Sequence, residues 1–98
     1  MISTYQEFKD SLQLQQPPSS WSVHLRSLWF DAKNNWHASH DLVDQLTDTI
    51  SKQIHAYLHR KEGDDWNAGY WYRQAGKPFC KLTLDEEFQL LVEDVLSN

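Results

Sequence analysis

Residues 55–76 read HAYLHRKEGDDWNAGYWYRQAG, and how this stretch folds decides the rest of the chain. Gly63 sits near its middle, where a glycine in the left-handed conformation ends a helix. Asp64 or Asp65 follows at once and supplies an N-cap for the next helix. Before the glycine, Ile50, Ile54, Tyr57, Leu58 and Lys61 recur along one side of a helix running from about Thr49 to Glu62. After it, a helix from about Asp65 is stopped by Gly76 and Pro78. Ala56, Ala68 and Ala75 are small enough to let these two helices approach closely. Trp71 and Tyr72 cover the open side of the pair. The stretch reads as a helix-turn-helix hairpin.

The same punctuation works outward. Downstream, Thr83 and Glu86 form a capping box, and Leu84, Phe88, Leu91, Val92 and Val95 give a last amphipathic helix over 84–97. Upstream, "TDT" at 47–49 offers N-caps and breaks off a helix from about Trp36 to Leu46, with Ala38, Leu42, Val43 and Leu46 inward. A single helix over 36–62 is the alternative. "KNN" at 33–35 suits a turn, because asparagine tolerates left-handed backbone. Trp21, Leu25, Leu28, Trp29 and Ala32 mark another helix, capped by Ser19 or Ser20. Pro17 and Pro18 end the first helix, 3–15, which Ser3 and Gln6 open as a capping box and which carries Tyr5, Phe8 and Leu12 on one stripe. No segment alternates as a strand does. The expectation is one all-α domain over 1–98, with five or six short helices. Two stacked hairpins are flanked by N- and C-terminal capping helices.

Composition narrows the function. A chain of 98 residues, 40% hydrophobic and 13% aromatic, is a folded single domain rather than a disordered segment. Its net charge of −5 is the wrong sign for a general nucleic-acid or anionic-membrane binder. No window approaches a membrane span, and the first 18 residues lack the pattern of a signal peptide. Cys80 is alone, so no intrachain disulfide can form, and the cytoplasm is the expected compartment.

Placed at an offset of 30, "AKNNWHASH" at 32–40 falls over "EGDDWNAGY" at 62–70. Short internal periods mark stacked helical hairpins. Ala56, Gly63, Ala68, Tyr72 and Ala75, with the run "AGYWYRQAG", resemble a tetratricopeptide or Sel1-like repeat. The first hairpin matches at Leu25, Trp29, Ala38 and Leu42. It departs at Arg26 and Lys33, which stand where a small residue and a glycine are expected. The resemblance covers roughly residues 21–78 and implies a protein- or peptide-binding module. Its groove would be lined by the first helix of each hairpin, at Gln53, Tyr57, Arg60 and Lys61 with Val23, Ser27 and Phe30. Arg60 and Lys61 beside Tyr57 suit a carboxylate or an acidic segment. The stretch is also similar to a group of small uncharacterised bacterial proteins with fungal relatives, which implies no activity.

Other residues carry chemistry of a different class. His55, His59 and Glu62 fall at i, i+4 and i+7 of one helix, the spacing that lets two imidazoles and a carboxylate reach one divalent metal, and His40 could complete the set. Ala56 stands where the zinc-peptidase pattern has glutamate. The competing reading makes these histidines hydrogen-bonded parts of the bundle, with no cofactor. Trp66, Tyr70 and Arg73 form a second candidate surface on one flank of the last hairpin helix. The favoured expectation is therefore an interaction module with no catalytic residue assigned. The alternative is a metal-binding or small hydrolytic protein using His40, His55, His59 and Glu62. A third reading, a structural subunit, places the tryptophans at a homodimer interface.

Overall fold

The computed structural model describes residues 2–98. Six helices and no strand occur among the described residues: α1 (Tyr5–Asp10), α2 (Val23–Ala32), α3 (Trp36–Val43), α4 (Thr49–Lys61), α5 (Asp65–Gln74) and α6 (Leu84–Leu96). The described chain is all-α, with a short 3₁₀ turn at Ser11–Gln13 after α1. Among the described residues, no helix is long and apolar enough to cross a membrane.

The caps explain where each helix begins. Thr4, not Ser3, opens α1, because Thr4 and Glu7 form a reciprocal capping box and a glutamate meets two backbone donors there. Helix α1 ends at Asp10, well short of position 15, and the chain tightens into the 3₁₀ turn before Pro17. Ser22 caps α2 in place of Ser19 or Ser20, which lie in a turn closed by Trp21 N–H donating to the Pro18 carbonyl. Trp21 thus precedes the helix and stacks on Phe8 at 6.2 Å. Asp48 caps α4, so residues 36–62 form two helices rather than one.

Two hairpins dominate the packing, α2 with α3 and α4 with α5. Their turns share one device. Asn34 and Gly63 both adopt positive φ, +63° and +87°. The next residues, Asn35 and Asp64, each cap the following helix through a side-chain oxygen. These pairs stand 29 positions apart (63 − 34), not 30. In that register Ser27 matches Ala56 and Ser39 matches Ala68, and all four are completely buried. The Ser27 hydroxyl donates to the Ser39 carbonyl at 2.8 Å, while Ala56 and Ala68 meet in a small apolar cluster with Tyr72. The one-residue change has a physical consequence for the tryptophans. Trp36 is the first residue of α3 and Trp66 the second of α5, so they differ by about 100° around the helix. Trp36 turns inward, and Trp66 is 77% exposed.

The main core joins Phe8, Leu25, Leu28, Trp29, Val43, Ile54, Tyr57, Leu58, Phe88, Leu91 and Val92. Helix α3 contributes Val43 and buried Ser39, whereas Ala38, Leu42 and Leu46 are only half-buried. Helix α6 packs on α1, α2 and α4, so it covers the face of α4 rather than only an end of the stack. Glu87 of α6 is the polar hub of that contact. Arg60 Nη1 donates to its Oε1 at 2.7 Å, and the Tyr72 hydroxyl donates to its Oε2 at 2.6 Å.

Candidate metal centre

Helices α3, α4 and α5 bring five rings together on the side of α4 away from the core. His40 lies one turn after Trp36 on α3, and His59 one turn after His55 on α4. Trp36 is held from behind, since its Nε1–H donates to the Leu58 carbonyl at 2.8 Å. Its ring lies flat against His40, with centroids 4.8 Å apart and planes at 11°. On the other side Trp71 lies flat against His55 at 4.1 Å and 17°. His55 and His59 stack at 4.9 Å. The three imidazoles are thus clamped between two indoles, with side chains 18%, 5% and 13% exposed for His40, His55 and His59.

One nitrogen from each imidazole lies within 4.8 Å of the others. His40 Nε2 and His55 Nε2 are only 2.9 Å apart. Two N–H groups cannot point at each other, so at least one of these nitrogens presents a lone pair. Asp44, one turn after His40, places Oδ1 3.8 Å from His40 Nε2 and 3.9 Å from His55 Nε2. His59 Nδ1 is buried and has no hydrogen-bond partner among the described residues. Its nearest carboxylate, Glu62 Oε2, stands at 3.6 Å, beyond normal hydrogen-bond length.

Burial holds the His55 pKa down at about 4, helped by the neighbouring His40 and His59 and partly opposed by Asp44. Its ordinary value is 6.5. The unfolded chain therefore takes up a proton that the native, metal-free protein refuses, and the stability present above pH ~6.5 is lost as pH falls toward about 4. The loss should be on the order of 3 kcal/mol. Urea midpoints measured across this window should fall more steeply for the wild type than for His55→Gln. Parallel slopes would show that His55 is not held neutral.

The other sequence candidates separate. Glu62 does not share a point with all three histidines; it groups with His59 and Asp64 instead. Tyr57 and Lys61 line a small cavity of about 260 Å³ shared with α1, α2 and α6, and Arg60 is not part of it. Tyr57 is buried and its hydroxyl donates to Asp31 Oδ2 at 3.2 Å. Lys61 Nζ donates to Asp31 Oδ1 at 3.1 Å, and Arg60 is engaged by Glu87 and the Leu82 carbonyl. Helix α6 occupies the face where the resemblance would have placed a ligand. Trp66, Tyr70 and Arg73 do share an exposed flank of α5.

Asp44, Trp36 and Trp71 were missed as site residues by sequence reasoning. The i, i+4 spacings Trp36–His40 and His40–Asp44 were readable signals. Trp71 had none, because its stacking on His55 crosses two helices. No protein-family model, curated protein or solved structure matches this chain.

Proposed function

We propose that this protein binds one divalent transition-metal ion through His40, His55 and His59, with Asp44 as fourth ligand. The observation that carries the reading is the convergence of three largely buried imidazoles from two helices. His59 Nδ1, on the Glu62 side of its ring, is also buried without a partner among the described residues. Buried histidines that serve structure alone are normally satisfied by hydrogen bonds.

Imidazole with carboxylate suits zinc, copper and nickel rather than calcium or magnesium. The thiolate-requiring ions are disfavoured, since Cys80 packs instead against Ala56, Ala68 and Tyr72. Four protein ligands close a tetrahedral ion, which favours binding over hydrolysis. Tetrahedral zinc at about 2.0–2.1 Å from each ligand sets ligand atoms roughly 3.3 Å apart. The 2.9 Å His40–His55 pair must open slightly, Asp44 must close in by about half an ångström on His40 and His55, and His59 and Asp44 must both draw toward a common point.

Untagged protein, stripped with chelator and titrated calorimetrically with zinc, copper or nickel, should take up one ion per chain. Absence of stoichiometric uptake of all three ends the reading.

The exposed flank of α5 favours a second reading, a tetratricopeptide- or Sel1-like module that binds a protein or peptide. The shared turn device and the Ser27/Ser39 and Ala56/Ala68 pairs, 29 residues apart, support it. The contact surface moves from the α4 groove to Trp66, Tyr70 and Arg73, with an acidic or carboxylate-bearing partner facing Arg73. A peptide array probed with wild type and with Trp66→Ala/Arg73→Ala should lose its acidic-peptide hits in the variant. Equal signals would sink this reading. A reducing cytoplasm fits the single Cys80.

A further inference from the structure

A groove of about 990 Å³ runs between α6 and the segment 77–82, on a different face from the histidines. Tyr72 and Gln53 form part of its lining. Its rim carries Phe79, Leu82 and Leu90, exposed by 37%, 42% and 53%. These are half of the six large apolar side chains that the described residues expose, gathered on one feature. Isolated exposed apolar residues need no explanation, but a clustered set around a concavity marks an interaction surface.

The charges identify the occupant. One wall carries Lys77 and Lys81, and the other carries Glu93 and Asp94. A two-fold interface must be complementary to itself, each patch meeting its own copy. A wall of cations opposite a wall of carboxylates meets that requirement. A purely basic partner would oppose Lys77 and Lys81, and a purely acidic one would oppose Glu93 and Asp94.

We infer that a second copy of this chain fills the groove, with the two α6 helices antiparallel and centred on Leu90. In that arrangement position 94 of one copy lies level with position 86 of the other, near the start of α6. Lys81 belongs to the segment 77–82 that forms the opposite wall of the groove and leads into α6. Leu90 of each copy then meets Leu90 of the other at the two-fold axis, flanked by Phe79 and Leu82, and the Glu93–Asp94 wall of one copy faces the Lys77–Lys81 wall of the other. The overall charge of −5 on each chain works against association, so the attraction between these walls must be local.

Sedimentation velocity of the untagged full chain, from low to high micromolar concentration, tests this. The weight-average mass should rise toward that of two chains. Leu90→Glu and Lys81→Glu should each weaken the dimer by about tenfold or more, and Lys81→Glu/Asp94→Lys should restore most of it. Both positions are exposed, so an unchanged melting temperature confirms intact folding. A single-chain mass at every concentration overturns the inference, as does a dimer insensitive to Leu90→Glu. Specific capture of a different protein by monomer through this groove also overturns it.

Discussion

Glu87→Ala should lower stability by about 3 kcal/mol, a large fraction of what a domain this size possesses. Glu87 is 6% exposed and holds three helices at once. Its two carboxylate oxygens accept from Arg60 on α4 and from Tyr72 on α5, while its own backbone belongs to α6. Truncation strands the buried Tyr72 hydroxyl and removes the anion facing Arg60. The penalty comes from the groups left behind, not from the pair's intrinsic strength. Hence replacing the whole set by apolar residues, as Arg60→Met/Tyr72→Phe/Glu87→Leu, should recover most of the loss. Urea denaturation of the two variants beside exposed Glu93→Ala decides the matter. A Glu87→Ala midpoint as mild as that of Glu93→Ala would show that the hub is not stabilising.

The same hub shows where sequence reasoning stops. Local signals were readable: Gly63 as a left-handed stop, the Thr83–Glu86 box and the turn over 33–35 all lie within a few residues of what they control. Helix number and the division near 47–49 followed from such signals. The docking of α6 did not, because Arg60 and Glu87 are 27 residues apart and neither has a periodicity that points to the other. Arg60 and Lys61 looked like free cations for that reason, although Glu87 and Asp31 hold them. The offset of 30 between the tryptophans departs from the spacing of the turns for a different cause. Aligning the two large tryptophans is compelling by eye, yet the backbone is set by the turns, and the turns are 29 residues apart. The histidines were legible as a pair on α4 and uncertain as a trio. Whether His40 reaches them depends on how α3 leans on α4, and a sequence spacing within one helix cannot report that.

For the histidine trio, His40→Gln and His59→Gln should each reduce zinc affinity by more than about 100-fold, and Asp44→Asn by about 10- to 100-fold. Glutamine preserves much of the ring's volume, so packing between Trp36 and Trp71 suffers less than with alanine. Thermal melting separates ligation from mere structure. Zinc at about 100 times its dissociation constant adds about 2.7 kcal/mol to the native state, a rise on the order of 10 °C for a domain of this length. Wild type should show that rise and lose it on adding chelator. The glutamine variants should melt at the same temperature with and without zinc. If the cluster is instead a structural hydrogen-bonded set, the variants melt lower than wild type but zinc moves none of them. The stacked indoles give an independent readout. Trp36 and Trp71 contact His40 and His55 directly, so copper or nickel at the site should quench their fluorescence. Exposed Trp66, on the outer flank of α5, should contribute little to that quenching. Trp71→Phe should therefore remove much of the signal while Trp66→Phe leaves it intact, and the reverse pattern would place the ion elsewhere.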